Sequence, residues 1–155
     1  MRIGVASDHA GFRYKNAVAQ HLRGLGHEVV DFGAASEDPV DYPDVIRPLA
    51  AAVAWGKLER GVVFGGSGNG EAMAANRFRG VRCAVSWDQE SARLSRAHND
   101  ANVLSLGQRL VPEDQVLAIV DVWLATPFEG GRHVARIGKI DEPYREKDAG
   151  TEKGG

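Results

Sequence analysis

The stretch GVVFGGSGNGEAMAANR, Gly61–Arg77, passes from an apolar run into four glycines within six residues, then into a segment that opens on Glu71. A short β-rich run, a glycine turn and a helix start in that order make up half of a parallel β-α-β unit. The same alternation continues on both sides. Strands are predicted at Arg2–Ser7, Glu28–Phe32, Gly61–Gly65, Val81–Ser86 and Val103–Leu106. Between the first two, Tyr14, Val18, Leu22 and Leu25 recur at helical spacing, and Gly26 suits the helix end. Pro43 fits a first helical turn followed by the face Val45, Leu49 and Val53, and Asp88 can cap the helix after strand four. Pro112 is expected to open a helix with Val116, Ile119, Val120 and Trp123 on one face, and a last helix should start near Gly131. These units imply an α/β protein whose parallel sheet carries helices on both faces.

The chain has 155 residues, a net charge of -2 and 26% charged residues, which disfavours nucleic-acid binding through a general basic field. No apolar run reaches the roughly 20 residues that span a bilayer, and MRIGVASDH carries no signal-peptide core. The lone Cys83 excludes an intrachain disulfide framework, so a cytoplasmic protein is expected. Residues 1–144 read as one α/β domain, and the polar end from 145 to 155 as a disordered tail.

Ligands of parallel α/β proteins bind at the carboxyl ends of the strands. Ser7-Asp8-His9, the glycine loop with Glu71, and Gly107-Gln108-Arg109 all fall there. The loop is not a P-loop, because Gly70 is followed by Glu71 rather than lysine, and a dinucleotide fingerprint would need glycine where Glu71 stands. What remains is a nest of backbone N–H groups that can hold developing negative charge, beside a carboxylate that can act as base. That pairing suits proton abstraction next to a carbonyl. Glu71 can equally be a helix-start carboxylate favoured by the dipole.

Arg132 and Arg136, four apart near a helix start, oppose the macrodipole unless an anion lies between them. With Arg109 and His9 they could clamp a phosphate, although a solvated helix face accounts for them too. His98 closes the fourth helix, where the negative helix end favours its protonated form and suits a general acid. Cys83 reads as a core residue. His21, His27 and His133 form no metal-ligand spacing, so neither metal nor cofactor is assigned.

SDHAGF at Ser7–Phe12, GSGNGE with MAANR, SRAHNDANVLSLGQR and FEGGRHVARI together resemble ribose-5-phosphate isomerase, type B, in order along the chain up to about Ile140. The resemblance implies a homodimer of Rossmann-like three-layer α/β/α subunits with five-stranded parallel sheets and active sites between subunits. It implies metal-independent interconversion of D-ribose 5-phosphate and D-ribulose 5-phosphate, a step of the non-oxidative pentose phosphate pathway. Many members carry a catalytic cysteine where this chain has Gly65. The chain resembles instead the branch whose base is a glutamate, here Glu71. The resemblance assigns His98 as the ring-opening donor. It places Asp8, His9, Gly66, Ser67, Gly68, Asn69, Gly70 and Asn99 around the sugar, and Arg109, Arg132 and Arg136 around the phosphate. Asp8 and Ser67 then also serve the chemistry, Asp8 as acceptor of the anomeric proton and Ser67 with the loop N–H groups at the enediolate.

Glu71 follows strand three at the carboxyl edge of the sheet, and His98 precedes the amino end of strand five. A strand of about five residues separates those edges by roughly 16 Å, so each site is expected to draw His98 from its partner. Two alternatives stand beside this reading: an isomerase of a hexose 6-phosphate such as allose 6-phosphate, and a non-catalytic phosphate-binding module of flavodoxin-like architecture.

Overall fold

The computed structural model describes residues 1–145, so the expected tail lies, but for its first residue, outside the described residues. Five parallel strands, β1 (Arg2–Ser7), β2 (Glu28–Asp31), β3 (Arg60–Gly65), β4 (Cys83–Val85) and β5 (Val103–Gly107), form one sheet in the order β2-β1-β3-β5-β4. Helices α1 (Phe12–Gly24), α4 (Gln89–Asn99) and α5 (Val116–Ala125) cover one face, and α2 (Tyr42–Ala54) and α3 (Asn69–Ala75) the other, with α6 (Arg132–Gly138) packed on α4. This is the expected three-layer α/β/α fold.

Each face buries its own core, as a sheet covered on both sides requires. Val62 and Phe64 of β3 point to the face with Tyr14, Val18, Leu22, Ile119 and Trp123, while Val63 points to the face with Ile46, Leu49 and Val53. Trp123 is fully buried, and truncating such a side chain to alanine costs about 3–5 kcal/mol. The spacing read in α5 holds throughout: all four of its named apolar residues are buried. Leu25 departs from expectation, because α1 ends at Gly24 and leaves it exposed.

Other boundaries shift for local reasons. The strand expected at Val81–Ser86 shrinks to Cys83–Val85, at the sheet edge, where one neighbour rather than two supplies hydrogen bonds. Asn76, at the end of α3, both accepts from Cys83 N and donates to Cys83 O, so its amide stands in for a missing strand there. Pro112 lies in a turn, and α5 begins only at Val116. Asp88 caps α4 as expected, accepting from Ser91 N at 2.7 Å while Ser91 Oγ takes the Asp88 N–H. No helix among the described residues is long and apolar enough to cross a membrane.

Candidate active site

The chain's connections reverse beside β1: β2 lies on one side of it and β3 on the other, opening a crevice at their carboxyl ends. A cavity of about 350 Å³ sits there, lined by Asp8, His9, Tyr42, Gly66, Ser67, Gly70, Glu71 and Arg109 among others. Three loops converge to make it.

The first follows β1. Asp8 caps a short 3-10 turn, with Oδ1 accepting from Gly11 N at 3.1 Å, and its own N–H reaches Phe64 O across to β3. His9 Nδ1 accepts from Val40 N at 3.2 Å. A backbone N–H can only donate, so Nδ1 carries the lone pair and Nε2 carries the proton that a ligand would meet. The chain that brings in Val40 is tied down by buried Lys15, whose ammonium donates to both Asp31 oxygens and to Ala34 O.

The second is the glycine loop after β3. Gly68 stands at φ 82° as the N-cap of α3, a left-handed turn that glycine adopts without a Cβ clash. The third loop staples it. Gln108 N donates to Gly65 O, Arg109 N to Gly66 O, and Ser105 Oγ to Gly68 O, at 2.7–3.0 Å. Gln108 Oε1 in turn accepts from Tyr14 N at the start of α1. The Arg109 guanidinium lies across Gly66, where a Cβ would come within 2.9 Å of Nη1.

Glu71 occupies the first turn of α3 and is 3% exposed. Its carboxylate fills the space that a side chain on Gly65 would occupy: a Cβ there would overlap Oε1, Cδ and Oε2 together. Burial raises the Glu71 pKa; its own backbone N–H opposes this, and the charge of Asp8 adds to it. A carboxylate so placed is a stronger base than a solvated one.

The cavity therefore unites Asp8, His9, Gly66, Ser67, Gly70, Glu71 and Arg109, with Gly68 and Asn69 in the same loop. It excludes four sequence candidates. His98 and Asn99 end α4 at the opposite edge, and Arg132 and Arg136 sit exposed on α6 beside it. Because α6 has only seven residues, Arg136 falls in its last turn. The reading that both arginines oppose the dipole thus holds for Arg132 alone.

Cys83 packs against the core of the α2–α3 face, at its margin. It is half-buried on the edge strand and lines a separate depression of about 430 Å³ with Arg82, Asn99 and Ile140. Burial, with the charge of Glu71 adding to it, pushes its thiol well above the usual range.

The sequence reading missed Tyr42 and Leu110 at the cavity wall. Tyr42 was within reach, since it directly precedes Pro43 at the start of a helix entered from the carboxyl edge. A three-residue cluster was also missed: His98, Glu129 and His133 bring their ligand atoms within 4.8 Å of one another. The two imidazoles stack at 4.5 Å with planes 16° apart. Each ring's lone pair lies in its own plane, so the pair does not converge on a shared ion.

A family model described as Ribose/Galactose Isomerase matches residues 3–140. Ribose-5-phosphate isomerase B of Escherichia coli is 42% identical over 90% of this chain and 93% of its own length. The solved ribose-5-phosphate isomerase B of Clostridium thermocellum superposes with a TM-score of 0.90 at 48% identity, covering 91% of this chain and 95% of that one. That of Mycoplasma genitalium, solved with bound ribulose 5-phosphate, gives 0.86 at 39% identity over 90% and 93%. With the match running through every loop of the cavity and on through α6, the chain belongs to the ribose/galactose isomerase family.

Proposed function

We propose that this chain interconverts D-ribose 5-phosphate and D-ribulose 5-phosphate. The observation that carries the reading is the buried Glu71 carboxylate, set against Gly65 and facing a cavity that also presents Asp8, His9 and Arg109. In the cyclic aldose, His98 gives a proton to the ring oxygen and the C1–O4 bond breaks. Asp8 takes the anomeric hydroxyl proton as the C1 carbonyl forms. Glu71 then removes the C2 proton, and the electron pair moves through C1–C2 onto O1. Loop N–H groups and Ser67 hold the resulting cis-enediolate. The O2 hydroxyl proton passes to O1, Glu71 returns its proton to C1, and the C2 carbonyl closes. Arg109 and His9, whose Nε2 carries its proton, meet the phosphate together with Arg132 and Arg136.

These roles require two copies. Gly61–Gly65 pair in register with Val103–Gly107, so His98 before β5 and Glu71 after β3 lie a strand length apart, about 16 Å. A two-fold dimer would lay the α4–α6 end of one subunit over the cavity of the other. Exposed Met73, Trp87, Leu110, Val134 and Ile140 supply apolar surface for such a contact. The lone Cys83 keeps a reducing, cytoplasmic setting within the proposal.

The test is a side-by-side assay of ribose 5-phosphate and allose 6-phosphate in deuterated water. The proposal expects turnover of the pentose, with solvent deuterium entering at C2 of the aldose. Preference for the hexose would move the substrate assignment to six carbons. Phosphate binding without turnover or exchange would leave a binding module.

A further inference from the structure

The end of α4 that carries His98 is met by a second chain segment in a fixed way. Glu129 N donates to Ala97 O at 3.0 Å, and Arg96 Nε reaches Thr126 O at 3.4 Å, so residues 126–129 are tied to the turn beside His98. From that anchor, Glu129 Oε2 lies 3.6 Å from His98 Nε2 and 3.8 Å from His133 Nε2. Buried His133 stacks on His98. The neighbouring charges are otherwise engaged: Glu90 with Arg93, and Asp100 with Arg82 and Arg96. Arg132 and Arg136 stand on α6 beside His133. Burial first, then the charges of His98 and Arg132, lower the His133 pKa, with Glu129 opposing and Arg136 adding. The cluster thus holds an aromatic floor under one imidazole, with one carboxylate at its edge.

We propose that Glu129 is a positioning residue for ring opening, holding the His98 imidazole against the His133 floor so that it is presented to the aldose bound by the partner subunit. An imidazole on a helix end turns freely about its terminal torsion unless packing and a neighbouring charge select one orientation. His133 supplies the packing, and Glu129 supplies a carboxylate 3.6 Å from Nε2, longer than a hydrogen bond but close enough to pair with the imidazolium. This rests on the assignment of His98 as ring-opening acid.

The chemistry offers a test that separates positioning from general damage. Ribose 5-phosphate must be opened before its C2 proton is reached. Ribulose 5-phosphate has its C5 oxygen in the phosphate ester and stays acyclic, so Glu71 can exchange its C1 proton with solvent without help from His98. Exposed Glu129 is replaced by glutamine, and His98→Asn and His133→Asn are made as references. For Glu129→Gln we expect kcat on ribose 5-phosphate to fall about 10-fold, the lower end of what losing a supporting partner of a catalytic group costs, with KM nearly unchanged. Deuterium exchange at C1 of ribulose 5-phosphate should stay within about twofold of the parent. His133→Asn should show the same split. Unchanged kcat in Glu129→Gln while His98→Asn loses it would overturn the positioning role. An equal loss of turnover and exchange in Glu129→Gln would also overturn it, marking a structural effect. Were His98→Asn itself as active as the parent, the acid assignment would fall instead.

Discussion

Replacing Gly65 by alanine puts one methyl group into the space that the Glu71 carboxylate fills. Built on this backbone, the new Cβ overlaps three carboxylate atoms at once, and ordinary contact begins only at 3.4 Å. The β3 backbone cannot yield, because Gly65 is paired with Gly107 and its carbonyl accepts from Gln108 N at 2.8 Å. Glu71 must therefore withdraw by about 1 Å or more, and a displacement on that scale costs on the order of 100-fold in rate. The side chains proposed to hold the phosphate are untouched, so the loss should fall on kcat, with KM nearly constant. Initial-rate kinetics on ribose 5-phosphate, with deuterium exchange at C2 as a second readout, make the measurement. Adding Glu71→Asp to Gly65→Ala retracts the carboxylate by one methylene, so the double variant should lose less than the two single losses combined. Retention of more than about a third of parental kcat in Gly65→Ala would refute the reasoning, since the base would not depend on its present position.

Four further outcomes are expected. Glu71→Gln should abolish turnover yet stabilise the folded protein at neutral pH. The folded-state pKa of Glu71 is raised, so ionisation costs stability as pH rises through it, and the gain over the parent should vanish below the unfolded value near 4.5 in thermal melts across pH. Cys83→Ser should be close to neutral in turnover, and the parent thiol should alkylate slowly at pH 7, because burial holds it protonated; loss of turnover in Cys83→Ser would overturn the assignment of the base to Glu71. Arg136→Ala should raise KM for the sugar phosphate by about one to two decades and weaken competition by inorganic phosphate, the cost of one charge-assisted hydrogen bond. Refolding Glu71→Gln together with His98→Ala should recover about a quarter of parental activity through mixed dimers with one intact site, and recovery of none would place each site within one chain.

What the sequence made legible was local or periodic. Strand positions followed apolar runs, the buried face of α5 followed helical spacing, and the Asp88 cap followed from one side chain three residues before Ser91. The glycine loop and Glu71 stood out because their order fits no phosphate motif. Hidden were features that need three dimensions. Leu110 joins the cavity only because the turn after β5 folds back over the glycine loop. Glu129 and His133 come from a segment some thirty residues beyond His98, with no spacing that ties the three together. The sign of the dipole at Arg136 depended on where α6 ends.

Gly65 and Glu71 lie between these cases, and their relation bears on how the site is built. Six positions apart, they sit on different elements, a strand end and a helix start, joined by a loop whose Gly68 is left-handed. That turn folds α3 back so that its first carboxylate returns to the strand it left. A side chain on Gly65 and the Glu71 carboxylate contend for one volume, and only one can occupy it. The position read as a missing cysteine is therefore better described as half of the glutamate's binding pocket. Substitutions at 65 and 71 should behave as one unit, since the space left by the first residue is the space in which the second acts.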